Sequence, residues 1–97
     1  MSLNVCTFSG RLGKDVATKQ ITPDNTVANF PLAVDVGYGD KKETLWLNCA
    51  LWGKRAQGGL IQYLTKGQLV GVSGNISLRK YQGEDGVEKS SLEMRVS

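Results

Sequence analysis

The residues best suited to bind a ligand are two tryptophans, Trp46 and Trp52, which lie six positions apart in one alternating segment of the chain. Side chains point alternately to opposite faces of a β-strand, so a strand from Glu43 to Trp52 places both indoles on one face, roughly 20 Å apart. The other face is apolar and can enter a core; it carries Leu45, Leu47, Cys49 and Leu51. Large aromatic rings left exposed on a sheet are typical of a binding surface.

Basic side chains accompany the aromatic residues along the chain. Lys54 and Arg55 follow Trp52, Arg79 and Lys80 precede Tyr81, and a further aromatic residue, Tyr38, lies in the loop before the tryptophan segment. Flat rings can stack unpaired bases while lysine and arginine pair with phosphates, which is the combination that a nucleic-acid single strand requires. The pattern therefore predicts a single-strand interface. Two structural alternatives remain open for the tryptophans, namely packing beneath loops and burial at a subunit interface.

Composition argues against catalysis. The chain has 97 residues, a net charge of +3, two cysteines and no histidine, so the most common general base and the Ser-His and Cys-His nucleophile pairs are missing. There is no CxxC motif, and the acidic residues form no evident metal-binding or acid–base group. Cys6 and Cys49 are expected to be free thiols in a reducing compartment. We therefore predict a protein that is not an enzyme, with no metal, no cofactor and no small-molecule substrate.

The elements that must position these residues are mainly strands. Alternation and turn residues predict five of them: 3–12 continued by 16–22, then 26–36, 43–52, 68–80 and 87–96. Between the third and fourth strands, Leu60, Ile61 and Leu64 have helical spacing before Gly67. This order predicts an all-β fold, a five-stranded OB-fold Greek-key barrel with one short helix between strands 3 and 4, formed by residues 1–97 as a single domain.

Two local features are expected to interrupt the strands. Gly10 and Gly13 flank Arg11 and Leu12, which indicates a bulge or a sharp bend where the first strand curls. Pro31 lacks an N–H group, so the second strand is expected to be an edge or to be bulged there.

Five motifs in the same order resemble those of the bacterial-type single-stranded DNA-binding protein (SSB) family. They are Asn4-Val5 through Gly10-Arg11-Leu12-Gly13-Lys14-Asp15, Val27-Ala28-Asn29-Phe30 with Leu32-Ala33, Trp46 through Trp52-Gly53-Lys54, Tyr63-Leu64-Thr65-Lys66-Gly67, and Gly74 through Tyr81. The resemblance extends over nearly the whole chain.

The resemblance implies an OB fold that binds and protects single-stranded DNA without reading its sequence, in replication, recombination and repair. It also implies a homotetramer, in which the first strands pair across a dimer interface. The nucleic-acid-binding residues that follow from the motifs and from nearby charges are Trp46, Trp52, Tyr81, Tyr38, Lys54, Arg79, Arg11, Lys14, Lys19 and Lys80.

The chain departs from the family pattern in two places. Leu47 stands where family tetramers often carry a histidine, which bears on the details of the subunit interface. The sequence ends at Ser97 without the family's flexible, acidic-tipped tail, so partners recruited through such a tail are not expected for this chain.

The expected location is the cytoplasm, at the nucleoid and sites of replication, because no export signal and no membrane-spanning apolar run is present. Two other functions stay open from the residues alone. One is a replication-restart accessory OB protein that acts mainly through protein contacts, and the other is an RNA-binding OB domain.

Overall fold

The chain folds into six strands in a computed structural model, which describes residues 3–97 apart from the side chain of Arg55. The strands are β1 (Cys6–Leu12), β2 (Ala17–Thr22), β3 (Asn25–Val36), β4 (Glu43–Trp52), β5 (Leu69–Gln82) and β6 (Glu88–Val96). Three short 3-10 helices lie in the connections, at Gly39–Lys41, Gly53–Ala56 and Gly59–Tyr63. In the part of the chain described, no helix is long and apolar enough to cross a bilayer.

The strands close into a barrel because β1 pairs on both of its sides. The sheet order is β1-β5-β6-β4-β3-β2, and the additional β1–β3 pairing joins the ends into a ring of five strands. All of the pairings in this ring are antiparallel except β4–β6, which is parallel. The predicted five-stranded barrel is therefore confirmed.

The first predicted strand is divided into β1 and β2, which accounts for the sixth strand. β2 pairs with β3 up to Asn29, and β1 pairs with β3 from Leu32 onward. Pro31 lies between these two stretches, where its carbonyl accepts a hydrogen bond from the Gly13 N–H at 2.9 Å. The expected interruption at Pro31 thus appears as a break in the neighbouring strand. β3 itself is not an edge strand, because it also pairs with β4 along most of its length.

Barrel closure requires a very close approach between β1 and β3. A Cβ atom added to Gly10 would overlap the carbonyl oxygen of Ala33. Only glycine permits this approach, which occurs just before Arg11 and Leu12 pair with β3. β1 pairs with β5 as far as Arg11 and with β3 from Arg11 onward, so Gly10 lies next to the point at which β1 is paired on both sides.

The barrel interior is filled by apolar side chains, which include Leu47 and Cys49 from the predicted core face of β4. The main cluster consists of Leu12, Phe30, Leu32, Val34, Leu47, Cys49, Leu64, Val72 and Met94. Burial raises the pKa of the Cys49 thiol to about 12, so this side chain stays neutral and behaves as a small apolar residue. Alternation along β5 also predicts Leu78 on the core face, but Leu78 is exposed and lies beyond Gly74, where the pairing of β5 with β1 ends.

The predicted helix between β4 and β5 takes the form of two 3-10 helices. Gln57 and Gly58 separate them, and Gly59 begins the second. Each of the two glycines disfavours an α-helix by roughly 1 kcal/mol relative to alanine. The remaining segment, Gly59–Tyr63, has five residues, too few to form a stable α-helix without strong packing. Its end still serves the core, because Leu64 is buried.

Candidate nucleic-acid interface

An open groove of about 1160 Å³ crosses the outer surface of the barrel. It starts at the β1–β2 loop, crosses β3 and β4, and ends on β6 and β5. Four of the predicted site residues line it, and they are Lys14, Trp46, Arg79 and Tyr81. The fold therefore brings two aromatic rings and two cations from distant parts of the chain to one surface.

Trp46 projects from the outer face of β4 into this groove. Trp46 is 55% exposed, whereas the next residue, Leu47, is fully buried. The pleat produces this contrast, since neighbouring side chains in a strand point to opposite faces. The ring also lies close to the backbone of Gly13 in the β1–β2 loop. The indole is therefore available to a flat ligand while one edge is supported by the protein.

The far end of the groove is formed by Arg79 and Tyr81 on β5. Both lie on the same face of the strand, and Tyr81 is 43% exposed. The Arg79 guanidinium is 3.7 Å from the Glu93 carboxylate on β6. Lys80 alternates to the opposite face of β5, so the structure does not bring its side chain into the groove.

The near end of the groove is a loop held by several hydrogen bonds. The Asp15 carboxylate accepts a bond from the Lys66 N–H at 2.7 Å, and the Val16 N–H donates to the Leu64 carbonyl at 2.9 Å. Lys14 lies between Gly13 and Asp15 and is exposed. A cation is thus carried on a loop whose backbone is fixed.

Trp52 lies outside the groove, at the end of β4, and is partly buried. The Arg95 guanidinium lies 5.8 Å from the centroid of its ring, a distance at which a cation is attracted to the ring face. Arg95 is opposite Ala50 in the β4–β6 pairing, so it shares the outer face with both tryptophans. Lys54 is exposed in the 3-10 helix that follows. The two tryptophans therefore have different surroundings.

The other predicted residues lie away from the groove lining. Tyr38 precedes the first 3-10 helix and is 89% exposed. Lys19 is exposed on β2, whereas the Arg11 guanidinium donates a hydrogen bond to the Gly67 carbonyl at 3.0 Å. These three residues and Lys80 lie outside the groove lining, and all ten predicted site residues remain predictions as ligand contacts.

Charge in the groove lining is balanced. Lys14 and Arg79 contribute two positive charges, and Asp15 and Glu93 contribute two negative charges. Within residues 3–97, no group of three or more His, Cys, Asp or Glu side chains is placed to hold a metal ion. Attraction of a polyanion must therefore draw on cations around the groove as well as on those inside it.

Sequence reasoning missed two residues of this surface, Arg95 and Glu93. Alternation along β6 predicts which face these two side chains occupy. It does not predict their neighbours, because β6 meets β4 through a parallel pairing of distant segments. A signal was available in the apolar face of Leu92, Met94 and Val96, which leaves residues 93 and 95 on the outer face.

The fold and the groove define a closed OB barrel whose outer face exposes aromatic rings beside charged side chains of both signs. The profile of the single-strand binding protein family matches residues 3–97. A single-stranded DNA-binding protein of Neisseria meningitidis serogroup B is 37% identical over 97% of this chain and 56% of its own length. Single-stranded DNA-binding protein 2 of Clostridium acetobutylicum is 36% identical over 95% of this chain and 71% of its own length.

A solved structure agrees with these sequence relatives. The Plasmodium falciparum SSB in complex with ssDNA superposes with a TM-score of 0.79 and 29% identity, covering 98% of this chain and 87% of that chain. The chain belongs to the single-strand binding protein family. It spans about half the length of several curated relatives that it matches.

Proposed function

We propose that this chain binds single-stranded DNA without regard to base sequence, by stacking bases on aromatic rings and pairing phosphates with basic side chains. The observation that carries this proposal is the groove in which Trp46 and Tyr81 are exposed together with Lys14 and Arg79. Family membership and the likeness to a protein solved with ssDNA support it.

The exposed rings supply the sequence-independent part of the affinity. Every base has a flat face, and stacking on an aromatic side chain contributes about 1–3 kcal/mol per base. Trp46 and Tyr81 provide two such surfaces within the groove. Trp52 provides a third, with Arg95 beside its ring. A DNA strand that contacts these rings would cross the outer surface of the barrel over β4, β6 and β5.

The wider role follows from the family and forms part of the proposal. The chain would act as a single non-catalytic domain, residues 1–97, in a homotetramer that protects exposed strands in the cytoplasm during replication, recombination and repair. A fluorescence titration with DNA and RNA strands distinguishes among DNA, RNA and protein as the ligand.

A fluorescence titration tests the proposal directly. Oligo(dT) is expected to quench the intrinsic tryptophan emission, because stacked bases contact the indoles. The logarithm of the binding constant should fall linearly with the logarithm of the salt concentration, with a slope of about −0.7 per phosphate contacted. Light scattering on the same samples gives the mass of the binding species.

Two results would contradict the proposal. Emission that is indifferent to oligo(dT) would indicate a barrel whose aromatic residues meet a protein. Poly(U) that displaces oligo(dT) at a lower concentration than poly(dT) does would identify RNA as the preferred ligand. Equal quenching by oligo(dT) and by mixed-sequence strands supports sequence-independent binding.

Glu93 gives a second prediction, because it places a negative charge inside the groove. Glu93→Gln keeps the shape of the side chain, removes this charge and frees Arg79 from its ion pair. We expect the affinity for oligo(dT) to rise a few-fold at low salt. The gain should fade as salt is added, because the Debye length is about 10 Å at 0.1 M.

Asp24→Asn is the matched control for this change. It alters the net charge by the same amount in the turn between β2 and β3, away from the groove lining. An equal gain in both variants would mean that only net charge matters. Weaker binding by Glu93→Gln would mean that the ion pair holds Arg79 in its binding position.

A further inference from the structure

Gly13 lies directly against the ring of Trp46. A Cβ atom added to Gly13 would lie 2.6 Å from the indole Cζ3 and 2.9 Å from Cη2. Carbon atoms that are not bonded to each other normally stay about 3.5 Å or more apart. The six-membered part of the indole therefore occupies the space in which any other residue would place its side chain.

The backbone at Gly13 has little freedom to move away from the ring. Its N–H donates to the Pro31 carbonyl at 2.9 Å. The preceding residue, Leu12, is bonded at its N–H to Gln68 and at its carbonyl to Gly67. Two residues later, Asp15 is bonded to the Lys66 N–H. The loop is thus tied on both sides of Gly13 to β3 and to the segment before β5.

The indole can move more easily than the loop backbone at Gly13. Trp46 is more than half exposed, and its ring turns about two side-chain bonds. A methyl group at position 13 would therefore displace the ring rather than the loop. The conformation of Gly13 does not itself require glycine, because its φ angle lies outside the left-handed range. The contact with Trp46 therefore supplies a different reason for glycine at position 13, because the indole needs the space that a side chain would fill.

We propose that Gly13 is a positioning residue for Trp46. Because Gly13 has no side chain, the indole can lie directly against its backbone, and we call this space at Gly13 the seat. The seat sets the indole at the angle needed to stack a base. The proposal rests on the proposed function for its consequence in DNA binding. The seat itself is a property of the free protein, and it can be measured without DNA.

A double-mutant cycle on the whole chain tests the seat through oligo(dT) affinity. The four proteins are the parent, Gly13→Ala, Trp46→Phe and the double variant. Phenylalanine retains a stacking ring but is smaller than indole, so the added methyl can be accommodated. We expect Gly13→Ala to weaken binding when Trp46 is present, by no more than the roughly 5- to 150-fold loss of one stacked base. In the Trp46→Phe background the same change should alter the affinity less than two-fold.

The same cycle covers the case in which Gly13→Ala does not fold alone. A double variant that folds, as judged by circular dichroism and urea unfolding, would still locate the conflict at the indole. A double variant that fails to fold would overturn the proposal, because glycine would then be required for the loop itself. An equal loss of affinity in both backgrounds would overturn it too.

A measurement without DNA separates this proposal from the proposed function. In a Trp52→Phe background the emission comes from Trp46 alone, since the chain has two tryptophans. Gly13→Ala is expected to shift this emission and to increase its quenching by acrylamide, because the ring leaves its seat. Unchanged emission and quenching would overturn the seat even if the protein binds DNA. A shift in emission together with no binding of oligo(dT) would overturn only the proposed function.

Gly71→Ala is the matched control. Gly71 lies in β5, and an added Cβ would have no heavy atom within 4 Å. We expect this variant to retain the emission of Trp46 and the affinity of the parent. Equal effects of Gly71→Ala and Gly13→Ala would show a general sensitivity to glycine replacement and would count against the seat.

Discussion

Replacing Trp46 by alanine is expected to weaken oligo(dT) binding roughly 5- to 150-fold, which corresponds to the loss of one stacked base at about 1–3 kcal/mol. The ring lines the groove and is 55% exposed, so most of its surface is free to meet a ligand. The loss should be similar for strands of different sequence, because stacking uses the face of a base and not its hydrogen-bonding edge.

The measurement is the anisotropy of a labelled oligonucleotide at fixed salt, since the variant lacks one of the fluorescent tryptophans. Salt must be held constant because the phosphate contribution varies with it. Folding is checked separately by urea unfolding, where we expect little change because the side chain is largely outside the core.

Tyr63→Ala is the control for exposure. Tyr63 is 63% exposed, comparable with Trp46, but it lies in the last 3-10 helix and does not line the groove. Its replacement should leave the affinity unchanged. If the two variants lose affinity equally, exposure of an aromatic ring would explain the result and the groove would not be the binding surface.

Leu47→Ala is expected to affect folding, whereas Trp46→Ala affects binding. The free energy of unfolding should fall by about 2–5 kcal/mol. Leu47 is fully buried within the main core cluster, between strands that pair on both sides of β4. Its removal leaves a cavity that a closed barrel cannot collapse to fill. A domain of this size has a total stability of roughly 5–15 kcal/mol, so the change is a large part of the whole.

Urea denaturation at a fixed protomer concentration measures this loss, because any self-association would add a dependence on concentration. Leu60→Ala serves as the control, since Leu60 is half exposed in a 3-10 helix. A shift in the midpoint with an unchanged slope would show a change in stability alone. Similar shifts for both leucine variants would contradict the placement of Leu47 in the core.

Trp46 and Leu47 together test the division of β4 into two faces. Adjacent residues of one strand are expected to affect different properties, the first binding and the second folding. The interpretation of the whole outer surface depends on this division. It would fail if Trp46→Ala reduced stability as much as Leu47→Ala does.

Much of the fold could be predicted from local patterns. The bounds of β4 agree with the prediction, and the predicted core face of Leu45, Leu47, Cys49 and Leu51 is buried or partly buried. This succeeded because alternation is a property of the extended backbone and needs no knowledge of neighbouring strands. The predicted helix was less accurate. Its apolar spacing was real, but two glycines and a short segment favoured 3-10 turns.

The candidate site was predicted in part. The two tryptophans were assigned to the outer face from the pleat alone, and the groove brings Lys14, Arg79 and Tyr81 together with Trp46. The sequence did not indicate that Arg95 lies beside Trp52, that Glu93 pairs with Arg79, or that Trp46 rests on Gly13.

The sequence by itself determined which side chains of each strand face the core and which face outward, because this follows from the local geometry of the backbone. Only the tertiary structure decided which outward residues become neighbours. Lys14 reaches the groove through a loop tied to β3, and Arg79 and Glu93 meet across the pairing of β5 with β6. Such neighbours depend on the register between segments that are far apart in the chain, and the identity of each residue taken locally does not specify that register.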